Sequence, residues 1–109
     1  MRSAAANISF ICGVIFPLAT RNGAISQRRW DCGEIKVGNR ADLVLLNCYA
    51  LHNMPCYDDY AMIAYSAERS DVLMTMVDGR ILYRNGEYNS IDEERMRYEC
   101  SRMFAHYFE

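Results

Sequence analysis

The stretch from Asp71 to Tyr88, Asp-Val-Leu-Met-Thr-Met-Val-Asp-Gly-Arg-Ile-Leu-Tyr-Arg-Asn-Gly-Glu-Tyr, constrains the fold more than any other part of the chain. Its apolar residues stop at Val77 and resume at Ile81. The Asp78-Gly79 pair between them tolerates the positive backbone angles of a two-residue hairpin turn. A second turn pair, Asn85-Gly86, closes the returning run, so the sequence predicts an antiparallel ribbon of Val72–Val77 and Arg80–Tyr83. A lone ribbon is not stable in water, so the rest of the chain has to cover it.

The means for covering it are present in quantity, since 51% of the 109 residues are hydrophobic, enough for one small domain and too many for a disordered chain. The 12 basic and 14 acidic residues are interspersed and leave a net charge of -2, which provides no single-sign field for nucleic acid. Cys12, Cys32, Cys48, Cys56 and Cys100 are odd in number and widely spaced, with no Cys-x-x-Cys pair; this pattern predicts free thiols in a reducing, cytoplasmic setting. The apolar run Ile8–Ala19 is interrupted by Pro17, is followed by Arg21 instead of a small-residue cleavage site, and is too short to span a bilayer. Neither secretion nor a membrane is therefore expected.

Along the chain, Ala4, Ala5 and Ala6 favour helix, while Ile8, Phe10, Ile11, Val14, Ile15 and Phe16 cluster without a clean period. Pro17 is suited to a first helical turn and predicts a short helix from about Pro17 to Ile25. Gln27–Asp31, with Arg28, Arg29 and Trp30, reads as an exposed connector with one aromatic anchor. Glu34-Ile35-Lys36-Val37 alternates like a strand, Gly38-Asn39 reads as a turn, and Ala41–Leu46 is a strand whose consecutive Leu43, Val44, Leu45 and Leu46 call for cover on both faces. Cys48–Tyr60 has loop composition, and Tyr60–Ala67 reads as a short helix. Ser90 with Glu93 has the spacing of a capping box, opening a helix over about Ile91–Tyr107. Met96, Cys100, Met103 and Tyr107 form its apolar stripe, which is expected to pack in a core.

Groups suited to catalysis are scarce. His52 and His106 are far apart, with no His-x-His or His-Glu-x-x-His, so no metal centre has a recognisable spacing. His106 reads as a favourable charge at a helix C-terminus, and His52, near Asp58 and Asp59, as part of a solvated loop. Asp58 and Asp59 are adjacent on an extended loop and point apart, whereas paired carboxylates must converge on one bond. There is no phosphate loop, no Gly-x-Ser-x-Gly elbow, and no cysteine in a reactive context. No residue is therefore assigned a catalytic, cofactor-binding or metal-binding role.

Gly33-Glu34-Ile35-Lys36-Val37-Gly38-Asn39-Arg40-Ala41-Asp42-Leu43-Val44 resembles the G-x-I-x-x-G-x-x-A-D-L-V segment near the C-terminus of the metal-dependent amidohydrolase superfamily. Ala19-Thr20 with Asn22-Gly23-Ala24 precedes it, and Tyr65-Ser66-Ala67, Ser70-Asp71-Val72 and Val77-Asp78-Gly79-Arg80-Ile81-Leu82 follow in the family's order. Together with the Asp-Glu-Glu of residues 92–94, these features look most like the branch that deaminates methylthioadenosine and S-adenosylhomocysteine, near the chlorohydrolases.

The resemblance implies an α+β fold: antiparallel strands of a C-terminal β-sandwich with a hairpin, preceded by a short helix and closed by an amphipathic helix. Residues 1–32 would be the remnant of the last barrel helix and its connector, and residues 33–109 the sandwich portion. Zinc or iron belongs to the whole enzyme, whose ligands lie in a β/α barrel with no counterpart here. Asp42 matches a sandwich residue that is not a ligand. Met1–Phe16 and Ile25–Asp31 depart from the family pattern, as at the junction of an interrupted gene, so the expected state is a fragment inactive alone. Its expected partner is the barrel portion of the enzyme. The alternative is a small non-enzymatic β-rich module that self-associates through strand edges.

Overall fold

Asp78 and Gly79 adopt φ of 50° and 76°, so both central residues of the turn are left-handed, the geometry whose twist matches that of the flanking strands. In the computed structural model, which describes residues 12–108, this turn joins two antiparallel strands, Val72–Val77 and Arg80–Arg84. Asn85 and Gly86, at 48° and 91°, repeat the device. They do more than close the ribbon: a further strand, Glu87–Tyr88, folds back with Tyr83 opposite Tyr88. Leu43–Leu46 pairs antiparallel on the other side, with Leu43 opposite Met76 and Leu45 opposite Met74. Numbered in chain order, β1 (Leu43–Leu46), β2 (Val72–Val77), β3 (Arg80–Arg84) and β4 (Glu87–Tyr88) form one sheet in that order. A Cβ on Gly79 would have no atom within 4 Å. Gly79→Ala is thus expected to cost only the left-handed strain, about 1–2 kcal/mol, read as a lower urea midpoint.

The other regular elements are helical. Residues 12–19 form α1, Thr20 breaks the run with φ -120° and ψ -100°, and α2 spans Arg21–Ser26. This corrects the helix expected from Pro17: that proline sits inside α1, and the break comes three residues later. The alanine run and Ile8, Phe10 and Ile11 lie outside the described residues. Asp58 Oδ1 accepts from the amides of Tyr60 and Ala61 and caps α3, Asp59–Ala61. The chain then widens over Met62–Ser66, where the amide of Ala67 reaches back five residues to the carbonyl of Met62 at 2.8 Å, so the expected helix is only partly α. The last helix, α4, spans Glu93–Phe108. Its cap is Asp92, whose Oδ1 accepts from the amide of Arg95 at 3.0 Å, two positions beyond the expected Ser90.

Glu34–Val37 is not a strand. Gly33 and Gly38 bracket it at φ 88° and 93°, the amide of Asn39 takes the carbonyl of Lys36, and Asn39 Nδ2 takes that of Glu34. Turn bonds thus consume the groups a ladder would need, and Ile35 and Val37 are left in solvent. Trp30 likewise anchors nothing, being 73% exposed.

Among the described residues only Cys12 and Met62 are buried hydrophobics. The rings of Phe16 and Tyr60, 5.2 Å apart, tie α1 to α3. Val44 and Leu45 on β1, and Met96, Met103 and Tyr107 on α4, are more than half exposed, so the helix stripe expected to pack in a core covers nothing here. The radius of gyration is 18.4 Å, against about 13 Å for a compact domain of this length.

Candidate functional site

Asp71, the last residue before β2, is 3% exposed and gathers three donors on one oxygen. Its Oδ2 accepts from His52 Nε2 at 2.7 Å, Asn53 Nδ2 at 2.9 Å and the backbone amide of Glu68 at 2.9 Å. Its carbonyl accepts from the amide of Asn47 at 2.8 Å, at the end of β1. Donors directed at a carboxylate favour its charged form. The Glu68 amide first, then His52 and Asn53, hold the Asp71 carboxyl down to about 2, and the same contact raises His52 above its ordinary value. His52 is exposed, as expected, but fixed in place by this bond. It and Asn53 sit on a short helical turn, Leu51–Asn53, that Asp71 pins to the sheet.

A second carboxylate fixes the opposite end. Asp42 Oδ1 accepts from the amide of Asp78 at 2.8 Å and its Oδ2 pairs with Arg29 Nη2 at 3.2 Å, while the carbonyl of Ala41 accepts from the amide of Gly79 at 3.1 Å. Above all through the Asp78 amide, its pKa is lowered. The aspartate of the Ala-Asp-Leu segment thus holds the hairpin turn.

The remaining candidates stay apart. His106 lies in the last turn of α4 with its ring on Tyr107 at 5.5 Å. Asp58 caps α3, and Asp59 accepts from Cys56 Sγ at 3.6 Å; loss of solvent and that carboxylate raise the Cys56 thiol, which disfavours the nucleophilic thiolate. All five cysteines are free. An open cleft of about 340 Å³ lies over the sheet, lined by Arg69, Thr75, Leu82, Tyr83, Tyr88 and Ile91, with the two tyrosine rings 5.0 Å apart. It brings no acid and base together.

A zinc ion needs about four converging donors. No group of three or more His, Cys, Asp or Glu side chains among the described residues is placed to hold one, and the Asp71 oxygen that faces His52 is already taken by three donors. These residues do not fit a metal centre. No helix among them is long and apolar enough to cross a membrane. Sequence reasoning missed the Asp71 cluster because its members are separated by up to nineteen positions, and only the Ser70-Asp71-Val72 match marked one of them.

The sequence profile of the Amidohydrolase family matches residues 13–82, and the chain belongs to that family. It is 39% identical over 82 residues to a 5-methylthioadenosine/S-adenosylhomocysteine deaminase of Caldicellulosiruptor saccharolyticus, a match covering 75% of this chain and 19% of that protein. It is 35% identical over 82 residues to a 5'-deoxyadenosine deaminase of Methanosarcina acetivorans, with the same coverages. Among solved structures, its fold matches part of an adenosine deaminase from Xanthomonas campestris with bound zinc at a TM-score of 0.82 and 24% identity, over 87% of this chain and 22% of that one. The chain thus spans about a fifth of the length of the curated relatives it matches.

Proposed function

We propose that this chain is the non-catalytic, C-terminal part of an amidohydrolase that acts on carbon-nitrogen bonds, of the deaminase type, and that alone it turns over nothing. One observation carries the reading: the similarity to deaminases runs through three quarters of this chain but only 19% of the relative. In such an enzyme a metal-activated water attacks an amidine-like carbon. The zinc or iron is held by the remainder of the enzyme, since the residues described here bring no donor set together. Residues 1–32 continue from that remainder, and residues 33–109 form one side of a sandwich whose other sheet it supplies. The setting is cytoplasmic, in keeping with five free thiols.

Purified chain supplied with zinc and 5'-methylthioadenosine or S-adenosylhomocysteine is expected to release ammonia at the background rate. Zinc-dependent release above that rate would overturn the reading. A second reading, a β-rich module that assembles with its own copies, draws on β1, an edge strand with Val44 and Leu45 open to solvent. Sedimentation separates the two: a discrete dimer favours the module, a monomer or an aggregate the detached enzyme part.

A further inference from the structure

Two irregularities in the strands shape the open cleft over the sheet. Thr75 lies opposite Tyr83 and Met76 opposite Ile81, so Leu82 is an extra residue in β3. Leu73 is likewise extra in β2, since Leu45 lies opposite Met74 and Leu46 opposite Val72. Successive side chains of a regular strand alternate between faces, which would keep Leu82 away from Tyr83 and Val72 away from Thr75. A bulge re-aims the side chains beside it, and all four line the same cleft of about 340 Å³. On one side the turn before β2 brings in Arg69; on the other, Tyr83 faces Tyr88 across β3 and β4 and the chain runs on to Ile91. The lining is thus supplied by this chain alone, whatever the rest of an enzyme contributes elsewhere.

The chemistry of the lining decides what fits. Val72, Leu82 and Ile91 are apolar, and the rings of Tyr83 and Tyr88, 5.0 Å apart and tilted by 57°, suit a flat apolar body. Arg69 is exposed and makes no hydrogen bond or ion pair with any described residue. No acidic side chain among the described residues lines the cleft; Glu68 borders a separate hollow beyond Arg69. The guanidinium is therefore open to a carboxylate, which it can meet with two parallel hydrogen bonds. The volume lies at the lower end of the range of about 300–1,000 Å³ usual for small-molecule sites, so the ligand is small. We propose that this cleft binds a small aromatic carboxylate, its ring against Leu82, Tyr83 and Tyr88 and its carboxylate on Arg69.

Titration of the isotope-labelled chain with naphthoate, followed by NMR, is expected to shift the ring signals of Tyr83 and Tyr88 and the Arg69 guanidinium in one saturable step. Naphthamide, the same ring without the charge, is expected to bind the natural chain roughly tenfold more weakly, the effect of one hydrogen bond to a charged partner. In Arg69→Gln the two ligands should bind alike, with exchange protection of the β2–β3 amides unchanged. Equal affinity of naphthoate and naphthamide for the natural chain would overturn the proposal, and that comparison requires no variant to fold. Shifts confined to other exposed aromatic side chains, such as Phe104 and Phe108 on α4, would sink it as well. So would the absence of saturable binding at millimolar naphthoate.

Discussion

Asp71→Ala is expected to release the loop after β1 from the sheet and to lower the ratio of folded to unfolded chain by roughly tenfold or more, because His52, Asn53 and the Glu68 amide lose their common acceptor together. Hydrogen exchange reads this locally. The amide of Glu68, bonded to the Asp71 carboxylate, should lose protection, while that of Asn47, bonded to the Asp71 backbone carbonyl, and those within the β2–β3 hairpin keep most of theirs. Asp71→Asn should fall in between, since it keeps the shape but loses the charge.

The pH dependence has a defined sign on each side. Asp71 has a lowered pKa, so its contribution is complete above the ordinary 3.8 and is lost as pH falls through about 2. His52 has a raised pKa, so its contribution is complete below the ordinary 6.5 and is lost as pH rises through its higher folded value. The loop is therefore held best between those two ordinary values. An NMR titration of the His52 ring should give a pKa above 6.5 in the natural chain and a lower one in Asp71→Asn. Equal values in the two proteins would show that the contact does not form in solution.

Gly33→Ala is the second large effect. Gly33 has φ 88°, and a Cβ there would lie 2.9 Å from Ala24 Cβ and from the carbonyl oxygen of Thr20, and 3.0 Å from Arg21 Cα. Left-handed strain costs about 1–2 kcal/mol. Two of the three neighbours are helix or helix-cap backbone that cannot step aside, and overpacking adds roughly 1–3 kcal/mol. The substitution should push the connector off α2, break the Arg21 to Glu34 ion pair (3.5 Å) and cost clearly more than Gly79→Ala. Equal urea midpoints for the two alanine variants would mean that the close approach to α2 is absent.

What could be read from the sequence divides along a physical line. The hairpin was legible because a two-residue turn is decided by local backbone angles, and Asp78-Gly79 states them outright. The same chemistry at Asn85-Gly86 announced a turn but not β4, whose two residues carry no pattern of their own. Glu34–Val37 misled because alternation describes only side chains, whereas the bracketing glycines and Asn39 decide where the backbone bonds go. The capping box at Ser90 lost to Asp92, a competing acceptor that also puts charge near the helix start. The stripe on α4 and the run Leu43–Leu46 were legible as surfaces that need cover, but the cover is not among the described residues, and no local rule says so. The Asp71 cluster is assembled from distant positions and could be seen only once the chain was folded.

The clamp between Asp42 and the hairpin turn bears on how this sheet avoids errors of alignment. β1 reaches β2 through the long connection over 47–71, which by itself does little to fix how the two strands slide past each other. A slip of one residue would turn Leu43 and Leu45 to the opposite face. It would also break, in one movement, the bonds from Asp78 to Asp42 and from Gly79 to Ala41 at one end and from Asn47 to Asp71 at the other. The two aspartates thus act as end stops on a strand whose own apolar side chains, exposed at Val44 and Leu45 and only half-buried at Leu43 and Leu46, do little to fix the alignment.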